Sequence, residues 1–279
     1  MVGTGAMSSM PDETRGEPQA MSRPRFRFET GAATHVGKVR KENEDSFLAL
    51  PSSGLWAVAD GMGGHVAGKL ASSTVIEVLS SIGHAVSASD LLARFEDRFM
   101  RANARLREIG DEKGYGTFGT TLVALLTDAR FFAVAWCGDS RAYLMRGGGI
   151  EQISRDHTEV QELLERNIIT HEQARSWPGR NVITRALGVF DEVDFDLEQR
   201  ALQDGDVLLI CSDGLTGLVT DAEIAAAAAG ERNPQNLCDK LVEQVLERGA
   251  NDNVTIVAVR AVAEAETRET TVRRWEVPR

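Results

Sequence analysis

Four aspartates stand at the ends of apolar runs: Asp60 in A-V-A-D-G, Asp139 in A-W-C-G-D-S-R and Asp213 in L-I-C-S-D-G behind one, and Asp252 in G-A-N-D-N-V-T-I just ahead of one. A further charged cluster, R-K-E-N-E-D, carries Arg40, Glu44 and Asp45. One Asp-Gly pair marks only a turn, because both residue types favour turns for backbone reasons. Recurrence at strand ends points to more. Carboxylates brought to about 4 Å repel by roughly a few kcal/mol per pair at an effective dielectric of about 20, and only protonation or a cation relieves that. Oxygen ligands with few histidines nearby select hard ions, Mg2+ or Mn2+, over zinc. An all-carboxylate site is also the form a two-metal hydrolase takes, with a water made nucleophilic between the ions. Arg40 on its own reads as a surface ion pair with Glu42 or Glu44. A guanidinium also pairs two phosphate oxygens in a fork that lysine does not reproduce, and the N-E-D that follows tips Arg40 toward that use.

These residues need strands to hold them. Period-two alternation predicts a strand at Arg25–Phe28, and apolar runs predict strands at 55–59, 121–126, 131–136, 142–145, 207–210 and 254–259. Helical spacing runs from Gly68 to about Ser81 through Leu70, Val75, Ile76 and Leu79, and from Asp90 to Ile109 through Leu91, Leu92, Phe95, Phe99 and Leu106. Asp221 can cap an alanine-rich helix, and 235–248 reads as another. No periodic pattern covers residues 1–23, and the chain turns polar from 263 to 279, so a single domain over 24–262 with two tails is expected.

The 279 residues carry 31 Lys+Arg against 42 Asp+Glu, a formal charge of −11, which disfavours nucleic acid as a partner. No apolar run reaches the roughly 18 residues that span a bilayer. The three cysteines, Cys137, Cys211 and Cys238, form no C-x-x-C pair, and two lie in apolar runs, as buried free thiols do. A cytoplasmic, soluble protein without membrane contact is expected.

The ordered set R-K-E-N-E-D, D-G-M-G-G-H, F-G-T-T, G-D-S-R, D-H, I-T-R-A-L-G, L-L-I-C-S-D-G-L and N-D-N-V-T resembles the metal-dependent Ser/Thr protein phosphatase family, type 2C, in its bacterial form. The motifs cover residues 27 to 261. The resemblance implies an α+β fold, a four-layer αββα sandwich of two central, mainly antiparallel sheets flanked by helices. It implies hydrolysis of phosphoserine and phosphothreonine in proteins by direct attack of a metal-activated water, without a phosphoenzyme. Two Mn2+ or Mg2+ ions are implied, with a third, weaker one. By position, Asp60 would bridge the two metals, with the Gly61 carbonyl as a further ligand, and Asp213 and Asp252 would complete the shell. Glu44 and Asp45 would hold bound waters or bind directly, and Asp139 with Asp213 would form the third site. Arg40 matches the phosphate-gripping arginine, so Arg40 and Asp60 are the catalytic pair.

Met62 stands where eukaryotic relatives carry a histidine assigned as general acid, which leaves His65 as a candidate for that role. Residues 158–184 correspond to the flap over the active site, with one or two short helices and a turn at Pro178-Gly179. Implied partners are phosphorylated proteins, those of a Ser/Thr kinase, with the chain a monomer. The rival reading is a catalytically inactive copy of the fold serving as a binding or sensor module. A P-loop NTPase is a remote third, because Gly63–Lys69 fits G-x-x-x-x-G-K but Leu70 stands where the Mg2+-binding hydroxyl is needed.

Overall fold

A computed structural model describes residues 25–264 apart from 117, 129 and 181, and the side chains of His65 and Arg175 also lie outside the described residues. The chain opens with strand β1 (Phe26–His35) and β2 (Asp45–Leu50), then β3 (Leu55–Met62), helix α1 (His65–Ser80) and α2 (Ala88–Lys113). A short β4 (Gly119–Thr120) leads into β5 (Leu122–Thr127), β6 (Phe131–Cys137), β7 (Arg141–Arg146) and β8 (Gly149–Gln152). Helices α3 (Glu159–Glu165) and α4 (His171–Arg175) precede β9 (Asp196–Ala201) and β10 (Val207–Cys211), and α5 (Asp213–Thr216), α6 (Asp221–Ala228), α7 (Pro234–Glu247) and β11 (Val254–Ala263) close the fold.

Two antiparallel sheets result, one ordered β1-β11-β10-β7-β8, the other β2-β3-β5-β6-β9 with β4 beside β3. Strand residues alternate sides, and here both sides are covered. Leu55, Ala57 and Ala59 of β3 pack against Ala71, Val75 and Leu79 of α1 and Phe95 and Phe99 of α2. Trp56 and Val58 of the same strand face the other sheet, against Val257, Val259, Leu208 and Ile210. Leu209, Cys211, Ile256 and Ala258 face outward onto Ile224 of α6 and Leu237, Leu241 and Val245 of α7. The expected αββα sandwich is the observed fold.

Four strands escaped the sequence pattern, among them the two-residue β4. β9, D-L-E-Q-R-A, is an edge strand whose alternate residues are exposed, with Arg200 paired to Glu151 and Glu198, the charged edge that discourages further pairing. β2 is a half-buried hairpin partner of β3, and β8 is four residues long. Of the expected tails, only 263 and 264 are described: Ala263 ends β11 and Glu264 N–H donates to the Arg25 carbonyl. The rest lies outside the described residues. Among the described residues no helix is long and apolar enough to cross a membrane.

Candidate metal centre

One pole of the sandwich gathers the ends of β1, β3, β6 and β10 and the starts of β2, β7 and β11, so residues far apart in the chain meet there. The β2–β3 register sets Asp45 directly opposite Asp60. Like charges in facing positions destabilise a sheet unless something compensates. The Asp60 backbone is fixed: its N–H donates to Thr121 Oγ1 (3.1 Å) and its carbonyl accepts from Thr121 N–H (2.9 Å) and Thr120 Oγ1 (2.8 Å). Asp213 is the first residue of α5, straight after β10. Asp139 follows Gly138, whose φ of +117° and close approach to Thr121 suit glycine alone. His157 Nδ1 accepts from the Gly138 N–H at 3.1 Å, while its Nε2 faces Asp196 at 3.2 Å, so the ring braces the turn that carries Asp139. Burial holds the His157 pKa below its usual value.

A cleft of about 260 Å3 opens at this pole, lined by Arg40, Glu44, Asp60, Gly61, Asp139, Asp213 and Asp252 together with Met62, Thr121, Ile183 and Asn253. Of the expected site residues, Asp45 sits one layer below. Its Oδ2 accepts from Ser212 Oγ at 2.8 Å, and its buried Oδ1 has no hydrogen-bond partner. The backbone of His65 begins α1 at the rim. Gly61 and Gly68 touch so closely that a Cβ on Gly61 would overlap the Gly68 carbonyl, and one on Gly68 would overlap the Glu44 carboxylate.

The electrostatics follow from crowding. Asp60 is pushed well above the usual carboxylate range, first by burial, then by repulsion from Asp45, Asp213, Asp139 and Asp252. Burial pushes Asp45 up to about 7, against hydrogen bonds from Ser212 and Thr255 that oppose it. Asp139 is likewise pushed up to about 7, by burial and then by Asp213 and Asp156. Asp213 is raised by burial and by Asp252, partly offset by a hydrogen bond shared with Asp60 and by Arg40 and Arg141. Arg40 Nη2 donates to Asp252 Oδ2 at 2.7 Å, and that bond raises the Arg40 pKa.

Among the described residues no three acidic, His or Cys side chains close into a ready-made cage for an ion. Hard ions such as Mg2+ keep several waters and need only a few carboxylates each. The oxygen-only donors, their mutual repulsion and the orphaned Asp45 oxygen therefore fit such ions in an open, hydrated site. Lys69, the lysine of the P-loop-like G-x-x-x-x-G-K run, reaches Glu42 at 3.7 Å on the surface.

Sequence reasoning assigned no role to Ser212, Thr121 or Asn253. The Asn253 amide donates to the carbonyls of Val36 (2.8 Å) and Glu42 (3.0 Å), and its Oδ1 accepts from Glu44 N–H (2.8 Å), so one side chain pins the loop that carries Arg40. The motifs N-D-N-V-T and F-G-T-T contained these residues, but nothing in their spacing announces which backbone they hold.

A family model described as protein phosphatase 2C matches residues 22–254. The chain is 37% identical over 243 residues to the serine/threonine protein phosphatase PstP of Mycobacterium tuberculosis, covering 87% of this chain and 46% of the relative. It therefore spans about half the length of that curated relative. Among solved structures it is similar to PppA, a key regulatory component of T6SS in Pseudomonas aeruginosa, at 38% identity and a TM-score of 0.79, covering 86% of this chain and 100% of that one. It is also similar to the catalytic domain of PstP in complex with two manganese ions, at 36% identity and a TM-score of 0.77, covering 85% and 99% of the two chains.

Proposed function

The chain belongs to the protein phosphatase 2C family, and on that premise we propose that it hydrolyses phosphoserine and phosphothreonine in protein substrates with the help of two Mn2+ or Mg2+ ions. The observation that carries this reading is the single cleft in which Asp60, Asp139, Asp213 and Asp252 stand beside Arg40. Asp60, the Gly61 carbonyl, Asp213 and Asp252 would hold the two ions, with Glu44 and Asp45 ordering water around them and Asp139 with Asp213 taking a third, weaker ion. When bound, the ions supply Lewis acidity that makes water nucleophilic near neutral pH and balances charge on the phosphoryl oxygens.

The chain's own residues do the rest. Arg40 grips two phosphate oxygens in its fork and turns the phosphorus toward Asp60. Asp60, its backbone fixed by Thr120 and Thr121, would orient the attacking water by accepting its hydrogen bond. No side-chain nucleophile is needed, and the thiols are poor ones: all three are buried, with Cys137 and Cys238 pushed up to about 12 by burial. Met62 offers no proton to the leaving alkoxide, so His65 or water supplies it. Three free cysteines fit a reducing cytoplasm, where the protein would act as a monomer in signalling, against a Ser/Thr kinase.

Phosphate release from a phosphothreonine peptide with Mn2+, abolished by EDTA and restored by excess Mn2+, is the expected result. A folded, Mn2+-loaded protein that binds phosphopeptide without releasing phosphate would instead be the inactive binding module.

A further inference from the structure

The loop between β1 and β2 forms one lip of the cleft and is held from below. Lys38 N–H donates to the Ala250 carbonyl at 2.8 Å, and Gly37, at φ +82°, rests against the Asp252 and Ala250 carbonyls. Asn253 clamps both ends through Val36 and Glu42. Between those clamps, Lys38, Val39, Arg40 and Lys41 are all exposed. Arg40 is turned onto Asp252, whereas neither Lys38 nor Lys41 has a carboxylate partner among the described residues. Lys69 adds a cation at the start of α1, 3.7 Å from Glu42. Ile183 also lines the cleft, and its neighbour Val182 is exposed.

A chain of net charge −11 attracts basic partners at long range. Within a Debye length, about 8 Å at physiological salt, the lip decides instead, and there the exposed Lys38, Arg40 and Lys41 outnumber the exposed Glu42. Resting on the phosphatase reading above, we propose that Lys38 and Lys41 select substrates with Asp or Glu side chains flanking the phosphorylated residue. The phosphate engages Arg40, an acidic flank meets the two unpaired lysines, and a basic flank meets like charge. The clamped backbone presents both ammonium groups without ordering the loop anew.

The test uses three phosphothreonine peptides that differ only in flanking Glu, Ala or Lys, with the full Mn2+-loaded chain. At low salt, kcat/KM for the Glu-flanked peptide should exceed that for the Lys-flanked one by about fivefold to tenfold, and the gap should narrow at about 0.5 M salt. In Lys38→Ala/Lys41→Ala the three peptides should fall within about twofold of one another, in Lys38→Arg/Lys41→Arg the preference should survive, and turnover of p-nitrophenyl phosphate should be unchanged in both. Equal rates on all flanks in the wild type, an undiminished preference in the alanine variant, or an equal loss on all three peptides would each overturn the proposal. No turnover of any substrate, p-nitrophenyl phosphate included, would remove the phosphatase reading and this inference with it.

Discussion

Asp45 and Asp60 face each other across a strand pair, and the protein holds Asp139, Asp213 and Asp252 around them at the expense of its own stability. Asp60→Asn and Asp213→Asn should each lower turnover by more than about 100-fold, since even partners one step removed from a metal cost 10–100-fold. Both should stay folded. Without metal at pH 8, Asp60→Asn should melt higher than the wild type by roughly 5 °C, because it removes a buried, repelled charge. The gain should vanish near pH 4, where Asp60 is protonated; a lower melting temperature at pH 8 would contradict the crowding. Arg40→Ala should raise KM for phosphopeptides about tenfold or more with a smaller change in kcat, and an unchanged KM would remove Arg40 from the phosphate. The carboxylates were legible because each abuts an apolar run. Ser212 and Asn253 were not, because their partners, Asp45 and the carbonyls of Val36 and Glu42, are distant in sequence and chosen only by the fold.

Elements place these residues by ending at one pole. The apolar runs L-W-A-V-A and V-L-L-I read as buried strands because helices cover the outer face of each sheet, leaving no polar alternation. β9 was invisible for the opposite reason: D-L-E-Q-R-A exposes every second residue at an edge. The local structure of the segment expected to form the flap was legible in outline. Its two short helices, α3 and α4, and a turn in which Val182 N–H donates to the Gly179 carbonyl sit between 158 and 184, and Thr158 bridges to Ile183 at the base. At this scale the β1–β2 loop is the point of weakness. Asn253→Ala removes both of its clamps and should lower the melting temperature by roughly 3–8 °C, from three lost hydrogen bonds and the two carbonyls and one N–H they leave unpaired. It should also speed amide exchange across residues 36–44. Unchanged exchange there would show that the loop is held by something else.

The whole molecule should carry the site's titration in its stability. In the metal-free protein burial pushes Asp45 and Asp139 up to about 7, against about 3.9 for an unfolded aspartate. The folded state therefore keeps protons that the unfolded chain has lost. Their contribution is fully present below about pH 4 and is lost as pH rises to about 7. Metal binding needs the deprotonated carboxylates, so the rise in melting temperature on adding Mn2+ should grow steadily from pH 5 to pH 8. A rise independent of pH would mean that the ions bind elsewhere.

Anomalous diffraction at the manganese absorption edge, from crystals grown with Mn2+, looks at the centre itself. Two strong peaks are predicted in the cleft, both within coordination distance of Asp60, one reaching Asp213 and Asp252. A cleft without anomalous density at saturating Mn2+, or peaks confined to other carboxylates on the surface, would contradict the assignment of these aspartates as a metal centre.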